Sequence, residues 1–171
     1  MIIRDLVEAD VPALTDIYNE LIAHTDVIWL DDPVPVDDRL AWVRSLRPDD
    51  AALAAVDEDG TLLGFAAFGP FRSKSGYRPT VELTIMLAAG HRGAGIGQAL
   101  MDELVRRAVA ADRWAMVAAI DGGNIGSIRF HERNGFRVVA SMPGVGTKGG
   151  RRLDLVLMQR DLVPPNPTGG P

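Results

Sequence analysis

The stretch Leu87-Ala88-Ala89-Gly90-His91-Arg92-Gly93-Ala94-Gly95-Ile96-Gly97-Gln98 decides the fold. The apolar run Val81 to Leu87 reads as a strand, and it leads through a glycine-rich turn into a long helix ending near Ala111. Glycines let backbone N–H groups turn inward, and a helix N-terminus adds partial positive charge. Strand, turn and helix together make an anion site, for which pyrophosphate is a natural ligand. Two commoner nucleotide loops are excluded. No Gly-Lys-Ser/Thr follows, so this is not a P-loop. Gln98 stands where a dinucleotide fingerprint requires glycine. The helix has a narrow polar stripe, Gln98, Asp102, Arg106 and Ala110 to Arg113, as expected of a helix packed on a sheet.

Working outward, Ile2 to Arg4 reads as a short strand. Asp10 reads as the N-cap of a helix in which Val11, Leu14, Ile17, Tyr18, Leu21 and Ile22 recur at helical spacing. A loop at Asp31-Asp32-Pro33-Val34-Pro35 precedes a second helix, Val36 to Leu46, expected to bury Leu40, Val43 and Leu46. Ala52 to Val56 and Leu62 to Phe68 read as strands joined by the hairpin signal Asp57-Glu58-Asp59-Gly60. Gly69 to Arg78 is a polar, basic loop. After the glycine helix come a buried strand, Ala115 to Ile120, and a short helix, Ile125 to Asn134, capped by Asn124 or an earlier residue and stopped by Gly135. Phe136 to Ser141 and Leu153 to Met158 are expected as the last strands, with a Gly-rich loop between them. The class is α/β: a mixed sheet in a single domain, residues 1–162. Residues 163–171 carry four prolines and two glycines and are expected to be disordered.

Composition narrows the function. With 171 residues, 47% hydrophobic and 24% charged, the chain is ordinary globular protein. It has no cysteine, which excludes disulfides, thiolate zinc sites and a cysteine nucleophile. His24, His91 and His131 show no metal-ligand spacing, so no metal is expected. A net charge of −5 argues against a nucleic-acid partner. The acids of the first eight residues read against a secretory signal, and no apolar run reaches a membrane span. A cytoplasmic protein without a membrane partner is expected.

The spacing Arg92-x-x-Gly95-x-Gly97 resembles the acyl-CoA pyrophosphate loop of the GNAT N-acetyltransferases. The likeness covers nearly the whole domain. Ile17-Tyr18-Asn19, Ile28-Trp29 and Asp38 to Trp42 resemble one branch, which acetylates phosphinothricin, methionine sulfoximine and methionine sulfone. So do Phe71-Arg72-Ser73, Tyr77 to Glu82, Asn124, Ser127-Ile128, His131 to Phe136, Val145 to Lys148 and Gly150 to Gln159. Ile28-Trp29 and Val145 to Lys148 lean toward the methionine sulfoximine type.

The resemblance implies a GNAT fold, acetyl-CoA as cofactor and an N-acetyltransferase activity on a small amino-acid analogue. An ammonium cannot attack a thioester, and Glu82, a carboxylate in an apolar strand, would remove its proton. His131 stands where many relatives carry a tyrosine acid. The backbone of Ile85, Met86 and Leu87 would pair with pantetheine. Arg92, Gly93, Ala94, Gly95, Ile96, Gly97 and Gln98 would hold the pyrophosphate, with Asn124 on the pantetheine arm and Arg133 toward the phosphates. Arg72, Lys74, Ser75, Gly76, Tyr77 and Lys148, with Trp29, would bind the acceptor; the basic residues among them suit an anionic group. Pro79, Leu83, Lys74, Gly149 and Arg152 depart from the branch pattern around that pocket, not around the CoA loop. Relatives are commonly homodimers. Two rivals stay open: acetylation of another amine, on a polyamine or a protein N-terminus, and a non-catalytic acyl-CoA sensor.

Overall fold

The computed structural model describes residues 1–163; the expected tail lies outside them from residue 164 onward. Eleven elements follow in chain order: β1 (Ile2–Asp5), α1 (Val11–His24), α2 (Val36–Arg44), β2 (Ala51–Val56), β3 (Leu62–Pro70), β4 (Thr80–Leu87), α3 (Ile96–Ala110), β5 (Ala115–Asp121), α4 (Ile125–Arg133), β6 (Arg137–Lys148) and β7 (Arg151–Asp161). Short 3₁₀ turns cover Glu8–Asp10 and Ser75–Tyr77. The strands form one sheet in the order β1-β2-β3-β4-β5-β7-β6. Only β4 and β5 run parallel, joined by the α3 crossover; every other pair is antiparallel.

Strand alternation divides the core in two. Leu53, Ala55, Val81, Leu83, Met116 and Ala118 face α3, whose Leu100, Met101 and Leu104 are fully buried against them. Ala54, Val56 and Phe65 face Leu14 and Ile17 of α1. The same period along β4 sends Met86 to the α1 face and places Glu82 and Thr84 beside it.

The decisive feature is where β4 and β5 part. Their pairing runs from Thr80↔Ala115 to Leu83↔Ala118 and stops. β4 continues to Leu87 paired only with β3, and β5 continues to Asp121 paired only with β7. The strands splay, and the backbone of Thr84 to Leu87 on the β5 side has no strand partner there.

Four expectations need correction. Asp10 does not cap α1. Its carboxylate takes both guanidinium nitrogens of Arg4 at 2.7 Å and the N–H of Val7, because the preceding 3₁₀ turn already supplies the helix entry. Leu40, Val43 and Leu46 are half-buried: α2 packs on α1 and reaches the sheet through Trp42, whose ring centroid lies 6.4 Å from that of Phe65, and Leu46 lies past its end. Arg113, placed in the polar stripe, is 3% exposed, and it donates to the carbonyls of Arg78 and Asp49. The Gly-rich loop is mostly strand. β6 runs to Lys148, and the turn shrinks to Gly149-Gly150, both at positive φ, as a two-residue hairpin turn needs.

Candidate active site

Three cavities adjoin β4. The largest, about 420 Å³, is the cleft between the glycine loop and α4. Arg92, Gly93, Gly95, Gly97 and Gln98 line one side, Ile85 to Leu87 the floor, and Asn124, Ser127, Phe130, His131 and Arg133 the other side. Gly93 and Gly95 sit at φ of 83° and 80°, and an added Cβ at either would meet nothing within 4 Å. Glycine is required there for backbone conformation, not for space. Gly95 is the N-cap of α3, so the free N–H groups of that helix open into this cleft.

A second cavity of about 100 Å³ lies in the splay itself, between Leu83 to Met86 and Ala118 to Asp121. It shares Val27, Asn124, Ser127 and His131 with the first. Asn124 caps α4 through Oδ1, which accepts from Ser127 N at 3.1 Å, and its amide NH₂ has no other bond among the described residues. A continuous channel thus runs from an anion-binding helix terminus to unpaired strand backbone. Its chemistry suits a pyrophosphate carrying an amide-bearing arm.

The third cavity, about 390 Å³, lies on the α2 side, lined by Trp42, Ser45, Arg47, Gly69, Pro70, Glu82 and Thr84 among others. Glu82 is half-buried. Burial holds its carboxyl above the ordinary range, and Arg72 partly opposes this. Arg72 Nη1 stands 3.9 Å from Glu82 Oε2, beyond a hydrogen bond, with its guanidinium stacked 4.0 Å over the Phe71 ring. Glu82 thus faces this opening, while Arg72 is exposed beside it and lines none of the three cavities.

The expected site residues separate into groups. Arg92, Gly93, Gly95, Gly97, Gln98, Asn124, Arg133, Ile85, Met86 and Leu87 converge on the cleft. Ile96 is 3% exposed in the core and offers only its backbone; Ala94 does not line the cavity. The Gln98 side chain is spent on Asp102 and Asn134 at 2.8 and 2.7 Å, bracing α3 against α4. Lys74, Ser75, Gly76 and Tyr77 stand on an exposed turn and line none of the three cavities.

Two expectations are overturned. Lys148 is 8% exposed, and its ammonium donates to the carbonyls of Ile22, Thr25 and Ile28 at 2.6, 2.6 and 2.8 Å. Its three N–H bonds are all taken, leaving none for an acceptor. His131 is 6% exposed, between Phe130 and Phe136. Its Nδ1 lies 2.8 Å from the carbonyl of Ser127, so Nδ1 carries the proton in the neutral ring and Nε2 holds a lone pair without a partner. Burial lowers its pKa, so at neutral pH the ring has no proton on Nε2 to give. A general-acid role does not fit that state.

Trp42 and Arg47 were missed as cavity residues. Period-two alternation from Glu82 to Thr84 marks the face, but which helix covers it is not written in β4. Among the described residues no cluster of three His, Asp or Glu converges as a metal site.

The profile of the Acetyltransferase (GNAT) family matches residues 14–136. The chain belongs to that family. It is 41% identical over 162 residues to the L-methionine sulfoximine/L-methionine sulfone acetyltransferase of Salmonella typhimurium, covering 95% of both chains. It is 35% identical over 164 residues to the phosphinothricin N-acetyltransferase of Streptomyces coelicolor, covering 94% of this chain and 95% of that one. Among solved structures, yncA from Salmonella typhimurium with its cofactor acetyl-CoA superposes with a TM-score of 0.90 at 40% identity, over 98% of both chains. A ribosomal-protein-alanine N-acetyltransferase from Brucella melitensis gives a TM-score of 0.90 at 38% identity, over 94% of this chain and 99% of that one. This GNAT chain is an acetyl-CoA-dependent N-acetyltransferase.

Proposed function

We propose that this enzyme acetylates the α-amine of a small amino-acid analogue such as L-methionine sulfoximine, L-methionine sulfone or L-phosphinothricin. The observation that carries the reading is the 3.9 Å approach of the exposed Arg72 guanidinium to Glu82, which lines the third cavity. An α-amino acid is an ammonium and a carboxylate on one carbon. Arg72 meets the carboxylate, and Glu82 meets the ammonium. A polyamine offers no anion for Arg72, so this pair disfavours it.

Acetyl-CoA supplies an activated acyl group. Glu82 takes a proton from the acceptor ammonium, directly or through water. The neutral amine then attacks the thioester carbonyl, the C–S bond breaks, and CoA leaves as thiolate, which takes up the proton released from the acylated nitrogen. Gly93 to Gly97 hold the pyrophosphate by backbone N–H, with Arg92 and Arg133 adding charge at the rim. Trp42 forms an apolar wall for the acceptor. His131 serves as a neutral, structural ring and not as an acid.

Residues 1–162 form the catalytic domain in this reading, and the enzyme acts in the cytoplasm, where acyl-CoA is available. It works as a homodimer: the edge strand β6 exposes Val138, Val139, Met142 and Val145, an apolar edge that a second copy would cover. Light scattering is expected to give a mass near twice the 18.4 kDa of one chain; a monomer at assay concentration refutes this.

Free-CoA release with L-methionine sulfoximine, L-methionine sulfone, L-phosphinothricin, spermidine and a short peptide tests the function. Saturable release with one of the first three is expected. Release only with peptide favours a protein N-terminus as acceptor, in keeping with the alanine acetyltransferase likeness. No release beside tight acetyl-CoA binding favours a sensor. Within the reading, Arg72→Ala raises the acceptor KM ten- to a hundredfold, since a charge-assisted bond contributes roughly 1.5–3 kcal/mol. Its acetyl-CoA KM is expected to stay within about twofold, because Arg72 does not line the cofactor cleft. An unchanged acceptor KM removes Arg72 from recognition.

A further inference from the structure

The β6–β7 hairpin closes over the chain that joins α1 to α2, and Lys148 is the centre of that closure. Its ammonium meets three backbone carbonyls, Ile22 and Thr25 at the end of α1 and Ile28 beyond it. Around it, Gly149 N donates to Asp31 Oδ1 at 2.8 Å, and Arg151 Nη2 to Asp26 Oδ1 at 2.7 Å. The Trp29 ring occupies the space that a Cβ on Gly146 would need.

These contacts hold residues 22–31, which beyond α1 contain no regular element, in one shape. Val27 sits in the middle of the segment. It walls both the anion-binding cleft and the splay between β4 and β5. The carbonyls at the end of α1 have lost their helical partners, and a cation there is favourable. Removing the ammonium leaves buried carbonyls unpaired, and the segment must move to find water.

We propose that Lys148 is a positioning residue for acyl transfer: it fixes Val27 against the splay and so aligns the reacting end of the acyl arm, touching neither substrate. The proposal rests on acyl transfer taking place in that splay. It explains why a lysine in a basic segment is spent entirely on its own backbone.

The test is Lys148→Met, which keeps the length and removes the donors. Acetyl-CoA affinity is expected within about threefold of wild type, because the glycine loop is untouched. The value of kcat per acetyl-CoA binding site is expected to fall about tenfold or more, since small misplacements of reacting groups cost rates of that order. A purely structural role would lower the melting temperature and leave kcat per binding site unchanged; that result overturns the proposal. If Lys148→Met does not fold, Gly146→Val displaces Trp29 with Lys148 intact. The same split is expected of it, and unchanged kcat overturns the proposal. Wild-type turnover in the same assay reads the assigned acceptor, so an error there is seen separately. If no acceptor in the panel reacts, amide hydrogen exchange decides. Acetyl-CoA is expected to protect residues 25–29 in wild type but not in Lys148→Met. Absence of protection in wild type, or equal protection in both, overturns the proposal.

Discussion

With Glu82 as the proposed base, Glu82→Gln is expected to lower kcat by about 10²- to 10⁴-fold, the usual contribution of a positioned general base, and to leave acetyl-CoA binding intact. Glutamine keeps the shape and cannot take the proton. Glu82 faces the third cavity, away from the glycine loop, so the cofactor KM should hold. The pH profile carries the sharper signature. Burial holds the Glu82 carboxyl above the ordinary carboxylate range. As pH falls through that raised value the base becomes protonated, and kcat/KM falls with it. In Glu82→Gln this acid limb disappears from the remaining activity. Stability runs the opposite way. A carboxyl whose folded pKa is raised stabilises the fold only when protonated, below its unfolded value of about 4.3. That contribution is lost as pH rises through the folded value. Glu82→Gln is therefore not expected to lower the melting temperature at pH 7.5, and lost turnover cannot be laid to unfolding. Unchanged turnover, or an acid limb that persists, removes Glu82 from the chemistry.

The second large effect is on the cofactor. Gly95→Val is expected to raise the acetyl-CoA KM about ten- to thirtyfold. Gly95 caps α3 at φ 80°, where an L-residue pays roughly 1–2 kcal/mol and a β-branched one more. Each 1.4 kcal/mol is about a factor of ten in affinity. An added Cβ meets nothing within 4 Å, so the loss comes from the backbone leaving its conformation, not from a clash with the fold. Once that N-cap turns, the N–H groups at the start of α3 no longer converge. Gly97 offers a control. It sits inside the helix with its nearest side-chain neighbours 3.7 Å from an added Cβ, so Gly97→Ala is expected to cost much less. Steady-state kinetics in acetyl-CoA at saturating acceptor reads both. Equal effects of the two variants would show that conformation at Gly95 is not what binds the cofactor.

The element order was legible because its signals are local. Glycines at Gly93 and Gly95, the hairpin turn after Val56, the Asn124 cap and the stop at Gly135 each act within a few residues. Glu82 was legible as a carboxylate in an apolar strand, and the structure sets it on the face opposite Leu83. Local signals failed where a distant partner took the side chain. Asp10 looked like a cap until Arg4 claimed it, and Arg113 looked exposed until Asp49 and Arg78 reached it. Twelve residues of β6 looked half loop because glycine and proline weaken a strand signal, whereas pairing with β7 supplies the missing preference.

Sequence by itself determined the anion-binding turn and a carboxylate in an apolar strand, since these depend on residue type and spacing along one segment, and the resemblance of nearly the whole domain to the GNAT family implied the acyl-CoA class. Only the tertiary structure decided which charges are free to act. Arg72 and Lys148 read alike as basic residues in loops. One stays exposed with its guanidinium 3.9 Å from Glu82, and the other lies 8% exposed with every donor bonded to backbone carbonyls. His131, likewise, is held neutral by burial between two phenylalanines, while the Ser127 carbonyl sets the remaining proton on Nδ1. The reason is physical: the state of an ionisable group is set by desolvation and by partners brought from far along the chain, and neither is a property of the residue's own neighbourhood in sequence.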